Sequence, residues 1–436
     1  MNRWLYFWTL IFAMQVNAFA TSLSAPIQDE LEIQIKQQDL SIRRIKSDQK
    51  NNSKDLIIWV APGFGTHKRA MDVSIQLATL GIEIWHVDLA ESLFLTKNTH
   101  TMRKLDGKYL SGLIEYAHKT TSKNITLLTR SYGAIPALRA LREWQLNNKG
   151  TAAKDFYLKG AILFSPELYS KIPQLGLEPE FVNIINATNM PLMIFQGEKR
   201  SNRWQAKKVL NKLQAGGSSA YYKLVKGVNG VFYSKDNSKA ALKQLEVMPK
   251  KIISTIKLLG KTTKPSQAAI LKEKDLKKSQ TLDIKLKPFK GSPIPHALDL
   301  VDAFGKRLHK DDYLGKITVV NFWATWCPPC VEEIPSLNNL RSLMKNEKFE
   351  LISVNYGENK ETVQNFMKKV NVDFPVLLDP SGAQSAKWNV LVFPSTFVIG
   401  PDGKIKYGVN AAIHWDNESV VQKLKDLLNK KADRNK

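Results

Sequence analysis

Val319-Val320-Asn321-Phe322-Trp323-Ala324-Thr325-Trp326-Cys327-Pro328-Pro329-Cys330 decides the reading of this chain. The run Ile317–Trp323 is apolar almost throughout and reads as a buried strand. From Val331 to about Lys345 the apolar residues Ile334, Leu337, Leu340 and Leu343 recur at helical spacing. Cys327 is therefore predicted at the start of a helix, where free N–H groups and the helix dipole favour a thiolate. Pro328 suits the first helical position, because its missing N–H would have had no partner. Pro329 removes a second donor, so the N–H of Cys330 is expected to carry most of the stabilisation of the Cys327 sulfur. A Cys-x-x-Cys run between a strand and a helix signals dithiol–disulfide exchange, with Cys327 attacking and Cys330 resolving.

These are the only two cysteines among 436 residues. A zinc site needs about four ligands, and no second pair or close histidine cluster accompanies them. No metal and no cofactor is expected. A bridge across so short a loop adds little to fold stability, so the pair reads as chemistry rather than as a staple.

The N-terminus bears on compartment. Arg3 precedes an apolar run from Trp4 to about Met14, and Ala18-Phe19-Ala20 has the small-x-small form of a signal peptidase site. The run is short for a spanning helix, which needs about 20 residues. Residues 1–20 are expected to be a cleaved signal peptide, with a retained membrane anchor as the alternative. The net charge of +24 suits contact with an anionic membrane surface. Lysines are spread along the whole chain without a nucleic-acid-binding motif, so no nucleic-acid partner is expected.

Residues 21–50 are polar and read as a lead-in. From 51 to 260 strands and helices alternate, which predicts a mostly parallel sheet with helices on both faces. Residues 261–285 are rich in lysine and read as a linker, with some helix near Ala268–Lys278. A second α/β block covers 286–430.

With Asn355-Tyr356-Gly357-Glu358, Asp373-Phe374-Pro375-Val376 and Phe393-Pro394-Ser395-Thr396-Phe397 added to the cysteine run, residues 286–430 resemble the TlpA/ResA branch of bacterial thioredoxin-like proteins. The resemblance implies a thioredoxin-like domain with a cis proline at Pro394, opposite the cysteines. Trp326, Phe393 and Pro394 would meet the substrate. It also implies a kink at Pro335 in the active-site helix. Asn321 stands where ordinary thioredoxins bury an aspartate, and Glu358 falls on the position read as the catalytic carboxylate. The implied setting is a periplasmic reductant fed by a membrane electron donor and acting on disulfide-bearing clients, apocytochrome c among them.

In the first block, Thr129-Arg130-Ser131-Tyr132-Gly133 sits between a strand and a helix, the place of a nucleophile elbow. With Pro62-Gly63-Phe64-Gly65 and Gln196-Gly197-Glu198, it resembles the α/β-hydrolase superfamily. The implied roles are Ser131 as nucleophile and the N–H groups of Phe64 and Tyr132 as oxyanion donors. The pattern departs from that family at its base. No histidine occurs between His118 and His296, and Arg200 stands at the usual acid position, with Glu198 close by. A serine needs such a base to become nucleophilic, and His67 or His86 could supply it only through an unusual geometry. The expectation is a degenerate binding domain attached to the oxidoreductase. A serine hydrolase carrying a thioredoxin-like accessory domain is the alternative.

Overall fold

The computed structural model describes residues 25–47, 53–65, 68–152, 155–232, 236–272, 285–308 and 315–432. The expected signal peptide and His67 lie outside them.

The N-terminal unit is built on an eight-stranded sheet. Its strands are β1 (Ile27–Ile35), β2 (Gln38–Lys46), β3 (Asp55–Val60), β4 (Glu83–Val87), β5 (Asn124–Arg130), β6 (Leu158–Phe164), β7 (Leu192–Gly197) and β8 (Ala220–Val225). Their order is β1-β2-β4-β3-β5-β6-β7-β8. β2 runs antiparallel to both β1 and β4, and every other pair is parallel. The helices are α1 (Lys68–Thr79), α2 (Leu89–Ser92), α3 (Thr99–Lys104), α4 (Lys108–Thr121), α5 (Ala134–Asn147), α6 (Ala206–Ala215) and α7 (Lys239–Lys261).

Alternation along the strands divides the core. In β3, Leu56, Ile58 and Val60 pack toward α4, α5 and α6, whereas Ile57 and Trp59 pack toward α1 and α7. Successive strand residues point to opposite faces, so a run of apolar residues is what a sheet covered on both sides requires.

The lead-in expected over 21–50 is corrected. Residues 27–46 form the β1–β2 hairpin and extend the sheet. Ile33, Ile35, Leu40 and Ile42 alternate with polar residues and bury one face. The turn residues Lys36 and Gln37 both adopt positive φ, at 50° and 64°, without the Asn-Gly signal that usually marks such a turn. The linker also differs from expectation. Residues 263–272 lie on the N-terminal unit, where Gln145, Asn189 and Arg142 donate to the carbonyls of Pro265, Gln267 and Ala269. No helix forms at Ala268–Lys272, and the rest of that expected helix lies outside the described residues.

The C-terminal unit contains β9 (Lys287–Pro288), β10 (Leu300–Val301), β11 (Arg307–Leu308), β12 (Ile317–Trp323), α8 (Pro328–Leu343), β13 (Phe349–Tyr356), α9 (Lys360–Met367), β14 (Val376–Asp379), α10 (Ala383–Lys387), β15 (Ser395–Ile399), β16 (Ile405–Val409) and α11 (Glu418–Ala432). Its main sheet has the order β14-β13-β12-β15-β16-β9, with β12, β13 and β14 parallel and β15 and β16 antiparallel. This is a thioredoxin-like domain. α8 and α11 cover one face through Ile334, Leu337, Leu340 and Leu424. Leu343, expected on that apolar stripe, is 54% exposed at the last turn of α8. Pro335 lies inside α8.

The two units touch. Leu175 and Phe289 join the hydrophobic cluster on the second face of the C-terminal sheet. The Asn410 amide donates to the Pro173 carbonyl at 2.6 Å.

Candidate functional site

β12 is buried along its whole length and delivers the chain through Ala324-Thr325-Trp326 to Cys327, which caps α8 in an extended conformation. Cys327 and Cys330 are joined as a disulfide, with Cα atoms 5.3 Å apart. Both are buried, at 5% and 1% exposure, so Cys327 is the nearer to solvent. The Cys330 N–H has a backbone acceptor in this oxidised pair. It donates to the Cys327 carbonyl at 3.1 Å, as does the N–H of Val331. The first turn of α8 closes on its own backbone.

A carboxylic acid lies beneath the pair, and the sequence reading missed it. Glu333, 3% exposed, follows Cys330 by three residues and so projects from the same face of α8. Its carboxyl accepts from the Asn321 amide at 2.7 Å and from the Trp415 indole N–H at 3.2 Å. Burial pushes its pKa up to about 7, although these hydrogen bonds pull the other way. The Asn321 amide also donates to the Thr396 hydroxyl across the β12–β15 pair. A buried acid of this domain therefore stands on the active-site helix, with a hydrogen-bond donor on the strand. The visible signal was the spacing Cys-x-x-Cys-x-x-Glu.

Glu358 stands elsewhere. Its carboxylate accepts from the Thr325 N–H at 2.8 Å, the Thr325 hydroxyl at 2.6 Å and the Asn355 amide at 2.8 Å. It ties the loop after β13 to the turn that leads into Cys327. Three donors occupy it, so its geometry is that of a brace on the turn.

The Phe393–Pro394 peptide is cis. The Phe393 ring meets Trp326 edge-on at 5.9 Å and Tyr356 at 4.9 Å. Trp326 and Phe393 are only partly buried, so an incoming chain can reach them, whereas Pro394, next to Phe393, is buried.

In the N-terminal unit, Ser131 has φ of 51°, a left-handed conformation uncommon outside glycine. It opens the short 3-10 turn Ser131–Gly133 that leads from β5 into α5. A Cβ at Gly133 would run into the Thr129 hydroxyl, so the turn requires glycine there. The surroundings are not those of a triad. No described histidine hydrogen-bonds Ser131. His86 is bonded through Nε2 to the Ser74 hydroxyl at 2.8 Å and stacks on Trp59. Burial lowers its pKa to about 3. Arg200, in the loop after β7, pairs with Glu167, whose N–H donates to the Ser131 carbonyl. Glu198 accepts from the Gly227 N–H at 2.8 Å.

Comparison with known proteins follows the redox domain. Residues 289–425 match the Redoxin family. The thiol-disulfide oxidoreductase ResA of Bacillus subtilis (strain 168) is 38% identical over 138 residues, 32% of this chain and 75% of the relative. ResA of Bacillus thuringiensis subsp. konkukian (strain 97-27) is 32% identical over 131 residues, 30% of this chain and 72% of the relative. The crystal structure of a thiol:disulfide interchange protein of the thioredoxin family from Chlorobium tepidum TLS is 25% identical. It covers 32% of this chain and 97% of that one, with a TM-score of 0.27.

Proposed function

The chain belongs, through its C-terminal third, to the ResA thiol-disulfide oxidoreductases, and on that premise we propose that it is an exported disulfide reductase. The reduced enzyme begins with a Cys327 thiolate, which attacks one sulfur of a client disulfide. The client S–S bond breaks, a mixed disulfide forms, and one client thiolate leaves. Cys330 then attacks the Cys327 sulfur and releases the second client thiol. The client gains two electrons and the enzyme ends with the Cys327–Cys330 disulfide. Trp326, Phe393 and Pro394 form the surface along which the client segment lies.

The observation that carries this reading is Glu333. Resolution requires Cys330 to lose its proton in a site closed to water, and a buried carboxyl with a pKa of about 7 accepts a proton at neutral pH. The test is trapping. The Cys330→Ser enzyme should accumulate mixed disulfides with clients, and mass spectrometry of the trapped material identifies them. Absence of any client would remove the reading.

The finer assignments belong to the same proposal. Residues 1–20 act as a leader for export to the periplasm. A membrane electron donor re-reduces the pair, and apocytochrome c is one class of client. The basic surface meets anionic lipid. Residues 51–260, together with the β1–β2 hairpin, form a hydrolase-like domain that serves in binding. Its strand order, the antiparallel second strand and the turn at Ser131 support that fold. The positive φ of Ser131 also favours the second reading, a serine hydrolase, while Arg200 at the acid position and the sealed His86 weigh against it. Labelling by an active-site serine probe, lost in Ser131→Ala, would favour the hydrolase.

A further inference from the structure

We propose that the loop Gly197–Gln205 of the N-terminal domain forms one wall of the client groove and selects clients with acidic residues beside the reducible disulfide. The inference rests on the reductase reading above and names its substrate class. Three contacts seat this loop on the redox domain. The Ser201 hydroxyl donates to the Leu391 carbonyl at 2.6 Å, and Arg203 donates to the Ser381 carbonyl at 3.0 Å. The Lys199 carbonyl lies 3.8 Å from where a Cβ on Gly357 would stand. Leu391 is two residues from Phe393, and Gly357 precedes Glu358, which holds the turn before Cys327. An extended segment that reaches Cys327 past Phe393 and Pro394 runs beside this loop.

Charge sets the preference. Glu167 is held by Arg200, Glu198 by the Gly227 N–H, and Glu358 by Thr325 and Asn355. Only Glu167 is paired with a cation; Glu198 and Glu358 are held by neutral donors and keep their charge. The cations outnumber these carboxylates. Arg203 donates to the Glu198 and Ser381 carbonyls and lies 4.3 Å from the Trp204 ring, so its charge meets no carboxylate. Lys199 is exposed, and neither its ammonium nor the guanidinium of Arg130, beside Ser131, makes a side-chain hydrogen bond or ion pair among the described residues. Burial and the nearby Arg200 lower the Arg130 pKa to about 10, outweighing the opposing pull of Glu167, so this cluster still favours added negative charge. An acidic side chain of the client would supply that charge. The same loop carries Arg200 where a hydrolase carries its acid, so one stretch of chain accounts for both the altered cleft and the docked redox domain.

The test uses the full chain, reduced, with two disulfide-linked peptides that differ only in acidic or basic residues flanking the cysteine. The acidic peptide should be reduced with a kcat/KM about threefold or more above the basic one at low salt, as expected for exposed charge pairs, and the margin should shrink at high salt. Lys199→Glu should reverse the ratio, while Lys199→Arg should keep it. Lys68→Glu, which removes an exposed charge on α1, should leave the ratio as in the wild type. Equal rates on both peptides, or an equal response to Lys68→Glu and Lys199→Glu, would overturn the proposal. Wild-type reduction of the uncharged 2-hydroxyethyl disulfide separates the two levels. If that reaction fails, the reductase reading falls. If it proceeds without peptide discrimination, only the acidic-client proposal falls.

Discussion

The side-chain amide of Asn321 donates to the Glu333 carboxyl at 2.7 Å, joining the strand that leads into the cysteines to the helix that leaves them. The amide is neutral, so the bond holds the acid in place without a charge that would force ionisation. Burial then dominates, and the acid titrates at about 7 rather than at its ordinary 4.5.

The pH dependence of exchange should follow this acid. Resolution should accelerate as pH rises through about 7, and Glu333→Gln should slow it and flatten that limb. Stopped-flow thiol exchange across pH 5.5–8.5 reads this, and an unaltered profile in Glu333→Gln would exclude Glu333 from the proton path.

Stability should respond with a definite sign. A carboxyl whose folded pKa lies above its unfolded value favours the native state below about 4.5, and that contribution disappears as pH climbs to about 7. The full span is about 3 kcal/mol. Oxidised Glu333→Gln should therefore gain stability over the wild type at pH 8 compared with pH 5, as measured by denaturant unfolding at both values.

Introducing a second acid should move the titration further. Asn321→Asp replaces the donor by a like charge at hydrogen-bond range and should raise one apparent pKa of the pair above 7. Infrared or NMR titration of the carboxyls would read it.

Glu358→Gln should act differently from Glu333→Gln. The change weakens the charge-assisted bonds that hold Thr325, at a cost of about 1–3 kcal/mol, and loosens the turn before Cys327. Exchange should slow at every pH while the midpoint of the profile stays fixed. A displaced midpoint would return Glu358 to the proton chemistry.

Much of this architecture is visible in the residues, and the failures have physical causes. The run into Cys327-Pro328-Pro329-Cys330 and the Phe393-Pro394 step are local patterns with few alternative meanings, so the C-terminal domain is legible. The β1–β2 hairpin is not, because its turn is Lys36-Gln37 and eight of its twenty residues are charged. Two carboxylates near the cysteines differ in how legible they are. Glu358 lies on a recognisable loop pattern and accepts three hydrogen bonds, from Thr325 and Asn355. Glu333 looks like one more helix carboxylate until folding covers it with Asn321 and Trp415. Burial is a tertiary property, and no spacing rule reveals it unaided.

Leu175 reaches out of the N-terminal domain into the apolar face of the redox domain, where Gly176 leaves just enough room for the Phe289 ring. That contact bears on inheritance. A redox domain copied into another gene without its companion would carry a greasy scar at Phe289, and a new partner would need its own leucine to cover it. Separating the two halves of this protein would therefore uncover the Phe289 ring, so the seam ties the stability of one domain to the presence of the other.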